Sequence, residues 1–300
     1  MDVLSDVITA MRAGRPAASR ARVSGPWCFR FDRYDGAGFH VLLRGTGWLV
    51  PEHGAPVPLD AGDVVLVPHG SAHVLSDSPG DRGAVPFDAA VDDPEGRTEF
   101  LCGKYRIDRG RTHPLLTELP DVVHLPRRLG RHPDLRAAVD LLAGETTGDR
   151  PGRDCVISGL LDLLLVYMMR AWFDEHPGTG WPRALHDSEV AAALRALHSD
   201  PAAPWRLEDL AAHVGVSRAT LARRFTALTG QPPMAYLTWW RMITAAHLLR
   251  ESDRPLPAIA RQVGYGSPFA FAHAFKRHFG LPPGRYRAGT DTPQPDTATP

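Results

Sequence analysis

The stretch RLEDLAAHVGVSRATLARRFTALTGQPP, residues 206–233, decides the fold of the C-terminal third of the chain. Its apolar residues recur at helical spacing on both sides of Gly215, which allows a tight turn. Ser217 follows the turn and is a favourable N-cap for a second helix. The pattern predicts a helix-turn-helix over about residues 207–228. The apolar positions that define it are Leu207, Leu210, Val214, Leu221 and Phe225.

The same pattern returns fifty residues later in PLPAIARQVGYGSPFAFAHAFKRHFGLPP, residues 255–283. Its cap, its two inner aromatic positions, its glycine and its proline pair match the first copy in register, so this is an internal repeat. Pro268 stands at the first helical position, where the missing N–H has no cost. A second helix-turn-helix is expected over about residues 256–279. The matched residues are Ser267, Phe271, Phe275, Gly280, Pro282 and Pro283.

The segment between the two copies, MAYLTWWRMITAAHLLRES, predicts one uninterrupted helix of about eighteen residues, or roughly 27 Å. Successive major-groove faces on one side of B-DNA lie about 34 Å apart. Charge supports a polyanionic partner, because residues 190–300 hold 13 basic against 7 acidic residues. Residues 1–189 hold 21 against 27, so the neutral total hides a basic half and an acidic half.

The segment VGYGSPFAFAHAFKRHFGLPPGRYR, residues 263–287, resembles the DNA-binding domain of the AraC/XylS family of transcription regulators. The resemblance covers about residues 190–288. It implies a seven-helix domain with two recognition helices that bind double-stranded promoter DNA, often beside RNA polymerase. A sequence-specific regulator is therefore expected rather than an enzyme.

The resemblance also implies residue roles on the two recognition helices. Bases would be contacted from Ala219, Ala222 and Arg223 in the first helix and from Pro268, Phe269 and His273 in the second. Phosphates would be contacted from Ser217, Arg224, Arg241, Ser267, Lys276 and Arg277, and the exposed basic face adds Arg218. His273 departs from the family pattern, because similar sequences usually carry arginine there.

Short alternating runs separated by turn residues fill the first 128 residues and predict an antiparallel barrel or sandwich. The stretch GDVVLVPHGSAH, residues 62–73, resembles a cupin barrel. The expected fold class is therefore α+β: a cupin-like antiparallel β-barrel sensor with a helical hairpin, followed by an all-α double helix-turn-helix domain.

Residues 129–182 contain two segments with helical spacing and predict a helical hairpin that ends in a linker. The second segment carries a wide apolar stripe, which fits either core packing or the seam of a homodimer. Residues 289–300 are polar and rich in proline, so a disordered tail is expected.

A cupin enzyme would bind its metal with a fuller set of histidine and glutamate ligands than the barrel segment offers. Only His40 and His73 stand in the two motifs, which argues against a dioxygenase. A four-cysteine zinc site is excluded by the three cysteines of the chain. No cofactor is therefore required by the sequence.

Cys28, His40, His73 and Cys102 lie on predicted strands or their ends and are the candidate sensor residues. They would form a zinc site, a redox-active thiol pair, or ordinary packing beside a small organic effector. Some regulators of this subgroup sense oxidants through cysteines similar to Cys28 and Cys102. Cys155, on the hairpin, is expected to be buried core.

The combined prediction is a cytoplasmic regulator controlled by a small-molecule effector or an oxidant. The N-terminus lacks the apolar region of a signal peptide, and the most apolar stretch, residues 156–169, is short and contains Asp162, so no membrane partner is expected. A nonspecific DNA-packaging protein is the third alternative. The neutrality of the chain disfavours it.

Overall fold

The computed structural model describes residues 2–11, 16–80, 83–87, 92–107, 113–128, 130–147, 150–178 and 180–289. The chain divides into two compact units. One unit comprises Arg12–Pro177, and the other combines Met1–Met11 with Gly178–Pro300. Each unit is described by itself.

Unit Arg12–Pro177 is built on two five-stranded sheets, with orders β1-β9-β3-β6-β10 and β5-β4-β7-β2-β8. All pairings are antiparallel except the parallel pair of β2 and β8. The strands are β1 Ala17–Val23, β2 Cys28–Phe31, β3 Gly36–Arg44, β4 Thr46–Pro51, β5 Val57–Asp60, β6 Val64–Val67, β7 His73–Ser76, β8 Val85–Pro86, β9 Thr98–Arg106 and β10 Val123–Leu125.

The two sheets share one hydrophobic core, in which Phe29 and Leu75 of one sheet join Val65 and Phe100 of the other. Among the described residues no strand pairing joins the two sheets, which pack face to face with β1, β10, β5 and β8 as edge strands, so closure of the expected barrel is not shown.

Three helices complete this unit: α2 Pro114–Thr117, α3 Pro133–Glu145 and α4 Arg153–Glu175. Helices α3 and α4 pack together, and α4 also contacts β1 and β10. The expected helical hairpin is therefore present, and its second helix contacts both edge strands of the first sheet, β1 and β10. Leu161, Leu164 and Met168 are fully buried on that side of α4.

The other unit is all-helical among its described residues, and the expected helix-turn-helix segments agree with it to within about one residue. Helices α6 to α12 are the seven helices implied by the family resemblance. Gly215 and Gly264 both have positive φ, near +77° and +80°, in the two tight turns. The helices are α1 Val3–Met11, α5 Gly180–His186, α6 Ser188–Ser199, α7 Leu207–His213, α8 Arg218–Thr229, α9 Pro233–Glu251, α10 Leu256–Gln262, α11 Pro268–Phe279 and α12 Pro283–Arg287.

Helix α1 packs against α6 and α9, although the sequence grouped its residues with the sensor domain. Its apolar side chains Val3, Leu4 and Val7 are buried there. Beside them, the Asp6 carboxylate lies 3.2 Å from Nδ1 of His198. The physical reason for the difference is long-range packing, which local periodicity does not show. The remainder of the predicted 1–128 segment lies in the other unit.

Candidate nucleic-acid interface and sensor cavity

Helix α8 presents one buried and one exposed face. Leu221 and Phe225 bury the inner face completely, and Arg223 is exposed on the opposite side. The hydroxyl of Ser217 accepts a hydrogen bond from the Thr220 amide at 3.1 Å. Because this cap satisfies an amide that the helix leaves free, the first turn is held in place and its outward side chains have fixed starting points.

Helix α11 repeats this arrangement with different chemistry. Phe271 and Phe275 are fully buried, and the Ser267 hydroxyl accepts a hydrogen bond from the Phe269 amide at 3.2 Å. Pro268 occupies the first helical position. The Phe269 side chain is 87% exposed. The outer face of α11 therefore begins with apolar groups, where α8 begins with a basic one.

The residues expected to contact DNA mostly lie on these outer faces. Lys276 and Arg277 are exposed in the last turn of α11, where a cation can reach a phosphate. The exposed members of the predicted set are Ser217, Arg218, Ala219, Arg223, Pro268, Phe269, His273, Lys276 and Arg277, and the half-buried members are Ala222, Arg224, Arg241 and Ser267.

Arg224 was expected to contact phosphate, and its partly exposed guanidinium is paired with two carboxylates of the same unit. It lies 2.5 Å from the Asp187 carboxylate and 3.0 Å from that of Glu189. The hydrogen bond to Asp187 raises the pKa of Arg224. These two ion pairs tie α8 to the start of α6.

Arg241 was also expected to contact phosphate, and the structure gives it another use. Its Nε donates to the Pro201 carbonyl at 2.6 Å and its Nη2 to the Ala203 carbonyl at 2.8 Å. Burial lowers the pKa of Arg241. These bonds fix the loop before α7 against α9. Arg241 is therefore a structural residue, which its sequence position could not reveal.

In the sheet unit, strand register brings three of the four candidate sensor residues together. His40 on β3 lies opposite Cys102 on β9, and Phe31 on β2 lies opposite His73 on β7. Nδ1 of His40 is 2.9 Å from Sγ of Cys102. Nε2 of His40 is 2.7 Å from Nε2 of His73. All three polar side chains are buried.

The hydrogen bonds define where the protons of this cluster reside. Nδ1 of His73 donates to the Ser71 carbonyl at 2.8 Å, which leaves its Nε2 as an acceptor for His40. Nδ1 of His40 then accepts the S–H proton of Cys102. Burial lowers the pKa of His40 and of His73 and raises the pKa of Cys102. The resting cluster is a neutral relay of one thiol and two imidazoles.

A cavity of about 320 Å³ opens onto this cluster. The side chains of Arg30, Arg33 and Lys104 line it and are exposed. The hydroxyl of Tyr34 is buried in its wall and has no hydrogen-bond partner among the described residues. Burial raises the pKa of Tyr34. A buried hydroxyl without a partner is costly, so the wall offers a ligand one ready donor.

The sequence analysis missed Tyr34 and the three cations. An alternating pattern shows that a residue belongs to a strand, but it does not show which strand ends surround one cavity.

Cys28 does not join the cluster. It pairs with Ser76 at the other end of β2, its Sγ lies 3.9 Å from the Gly80 carbonyl, and it lines a separate cavity of about 940 Å³. The described residues contain no group of three histidine, cysteine or acidic side chains placed to hold a metal. The four-residue zinc arrangement is therefore not supported. Cys155, in the first turn of α4, is exposed and not buried core as expected.

Helix α4 keeps apolar residues on its outer side as well. Val156 and Leu163 are exposed there, and Leu141 is exposed on α3. Among the described residues, α4 is the one helix whose length and composition suit a membrane span. A core helix passes the same test, and the inner side of α4 packs on α3, β1 and β10.

The fold, together with the exposed outer faces of α8 and α11, defines a class of protein: a regulator with a cupin-type sensor unit and a DNA-binding unit that contains two helix-turn-helix motifs. A family described as Cupin matches residues 2–174, and a Helix-turn-helix domain matches residues 210–289. The chain is 36% identical to an AraC-like transcription regulator of Streptomyces lividans, over 96% of this chain and 98% of that protein. This chain belongs to the family of AraC-like transcription regulators, and it is a regulator rather than an enzyme.

Two other relatives, AlkR and RclR, agree with this assignment. The transcriptional regulator AlkR of Acinetobacter baylyi is 30% identical over 96% of this chain and 99% of that protein. The RCS-specific transcriptional activator RclR of Escherichia coli is 30% identical over 83% of each. The DNA-binding domain of AdpA, solved with a target DNA, is 35% identical over 34% of this chain and 91% of that domain, with a TM-score of 0.32.

Proposed function

We propose that the chain controls transcription by placing α8 and α11 in the major groove of promoter DNA. The observation that carries this proposal is the pair of capped helices whose outer faces are exposed in the same register. Helix α9, with 19 residues, is about 28 Å long. It separates the two helix-turn-helix motifs by nearly the distance between successive major-groove faces.

Bases are contacted from Ala219, Ala222 and Arg223 on α8 and from Pro268, Phe269 and His273 on α11. Phosphates are contacted from Ser217, Arg218, Ser267, Lys276 and Arg277. Arg224 and Arg241 take no part.

The experiment is selection of bound sequences from a random pool of double-stranded DNA by the purified protein at near-physiological salt. Two unlike blocks about one helical turn apart are expected, since two different helices approach one face of the duplex. Binding that enriches no sequence would show an electrostatic, nonspecific mode and contradict the proposal.

The signal enters through the cavity beside Cys102, and an oxidant is the signal favoured by the Cys102–His40 contact. When an oxidant enters, the sulfur attacks an electrophilic atom of the oxidant as the thiol proton passes to Nδ1 of His40, so that the buried thiolate, which burial disfavours, is not formed first. With a peroxide, the sulfur takes one oxygen, the O–O bond breaks, and the leaving alkoxide or hydroxide receives the proton from His40. Cys102 is oxidised to a sulfenic acid and the peroxide is reduced to an alcohol or water.

A small-molecule effector is the second candidate signal, because the Tyr34 hydroxyl in the cavity wall has no partner among the described residues. An effector in this cavity would use that hydroxyl and displace water from the ring of Phe31. Tyr34→Phe separates the two signals. It should weaken the response to an effector and leave the response to an oxidant unchanged.

The remaining partners are RNA polymerase at the promoter, in the cytoplasm, and a second copy of the chain. The outer side of α4 suits an isologous contact, because Val156 and Leu163 are exposed there and a side chain at Gly159 would meet open space. A small residue in an apolar stripe lets a second helix approach closely.

A further inference from the structure

Phe269 has the greatest exposure of the large apolar side chains that are exposed among the described residues. It is 87% exposed, against 60% for Leu141 and 48% for Leu163. Scattered surface apolar residues are ordinary. An aromatic ring so fully exposed to water, on a helix that buries Phe271 and Phe275, is a free contact surface.

The position of Phe269 in α11 makes it a first-turn residue of a recognition helix. Its own amide is bound by the Ser267 hydroxyl at 3.2 Å, which fixes the backbone from which the ring projects. Recognition helices approach base edges with their N-terminal residues. The ring therefore stands where the proposed DNA contact begins.

The side chains at matching positions of the two helices differ in size, polarity and charge. Where α8 has Ala219 and Arg223, α11 has Phe269 and His273. Helix α8 thus combines a small residue with a long cation, whose guanidinium matches the two acceptors on the guanine edge. Helix α11 combines a large apolar ring with a shorter side chain.

The residues that flank Phe269 strengthen the contrast. Pro268 and Ala270 are both exposed and carry no side-chain donor or acceptor. The first turn of α11 therefore offers DNA an almost wholly apolar surface. In the major groove, the apolar feature of a base edge is the C5 methyl group of thymine.

We propose that α11 recognises thymine through contact of the Phe269 ring with C5 methyl groups, so that the two halves of the binding site differ in chemistry. The half bound by α8 is selected for guanine through Arg223. The half bound by α11 is selected for thymine. This inference rests on the proposed DNA-binding function and specifies its second half-site.

The test replaces thymine by deoxyuridine, which removes the methyl group and keeps base pairing. The full-length protein is titrated with its selected site, first intact and then with deoxyuridine at the thymines of the α11 block. Affinity should fall about three- to fivefold for each contacted methyl, as for the loss of one buried methylene-sized group. Phe269→Ala should bind the two DNAs equally and match the affinity of the wild type for the deoxyuridine site.

Two controls define the comparison. The same number of replacements in flanking DNA should change nothing, and Arg223→Ala should keep the thymine preference while it loses affinity for the α8 block. Thermal unfolding should be unchanged in Phe269→Ala, because the ring is exposed in the folded protein.

Three results would overturn the inference. The wild type could bind thymine and deoxyuridine sites equally, Phe269→Ala could keep the preference, or the variant could bind DNA normally and lose only transcription, which would make Phe269 a polymerase contact. If the wild type and Phe269→Ala were equally sensitive to removal of the methyl groups, and only the variant failed to bend the DNA, the Phe269 ring would instead act as a wedge between base pairs. Failure of the proposed function is a different result, since no selected site would then exist.

Discussion

Asp6 of the first helix and His198 of α6 contact each other although they are 192 positions apart in the sequence, with the carboxylate 3.2 Å from Nδ1. Nε2 of the same imidazole lies 2.6 Å from the Tyr236 hydroxyl. His198 is thus buried and bonded on both nitrogens. Helix α1, which precedes the sheet unit in the sequence, thus completes the core of the DNA-binding unit that follows it.

The first prediction follows from this contact. Asp6→Ala should reduce the free energy of unfolding by roughly 1–3 kcal/mol, because it leaves a buried imidazole N–H without its acceptor. Chemical denaturation followed by circular dichroism measures the change. Asp253→Ala, at an exposed position in the same unit, is the matched control and should be nearly neutral. Equal stability of the two variants would mean that α1 is not part of this core.

The second prediction concerns pH and the His40–His73 pair. Burial lowers the pKa of both imidazoles in the folded protein, so the unfolded chain takes up protons first as the pH falls. The contribution of this pair to the free energy of unfolding is therefore fully present above the ordinary histidine pKa of about 6.5, and it decreases as the pH falls below that value.

Urea midpoints at pH 7.5 and pH 5.5 measure this effect. His73→Gln removes one of the titrating groups and should show a smaller decrease than the wild type. His198, whose pKa burial also lowers, is unchanged in the variant and contributes equally to both proteins. A decrease of the same size in the variant would assign the pH dependence to other groups.

The third prediction separates two of the three cysteines, Cys102 and Cys155. Cys102→Ser should abolish an oxidant-dependent change in promoter affinity, since Cys102 is the thiol that contacts an imidazole base. Cys155→Ser should respond as the wild type does, because Cys155 is exposed and remote from the relay. Electrophoretic mobility shifts before and after peroxide treatment provide the measurement. An oxidant response that survives in Cys102→Ser would remove the relay from signalling.

The fourth prediction distinguishes base contacts from phosphate contacts. Arg223→Ala should cost about 1–3 kcal/mol on the selected site and relax its specificity, whereas Arg277→Ala should weaken specific and random DNA alike. Fluorescence anisotropy on both DNAs at two salt concentrations gives the comparison. The salt dependence should be shallower in Arg277→Ala. Equal losses for both variants on both DNAs would refute the assigned roles.

The fifth prediction tests the outer side of α4. Leu163→Glu should shift the protein toward monomer, since a charge would be buried in an apolar contact between two copies. Sedimentation velocity over a range of concentrations measures it. Thr117→Glu adds the same charge at an exposed position on α2 and should leave the assembly state unchanged. A wild type that is monomeric at all concentrations would eliminate the proposed seam.

The sequence predicted the helix-turn-helix repeat closely because its signals are local: apolar spacing, a serine cap and a glycine turn lie within one helix of each other. Arg224 illustrates the opposite case. Its partners Asp187 and Glu189 lie more than thirty residues away, so nothing nearby in the sequence marked it as an ion-pair partner.

The sensor residues show the same limit in a sheet. His40 and Cys102 meet because β3 pairs with β9, and Cys28 is displaced because it stands three residues before Phe31 on a strand. Strand alternation predicts a face, but register and strand order decide which side chains share a cavity.

The division of the chain also affects the order in which the protein is made. Helix α1 is synthesised before the sheet unit, whereas α6 and α9, the helices that it packs against, are synthesised only after the whole sheet unit. During synthesis the apolar face of α1 therefore lacks its native neighbours at a stage when all strands of the sheet unit have already been made. A recombinant fragment that starts at residue 178 would face the reverse situation, with an uncovered apolar surface and a tendency to aggregate.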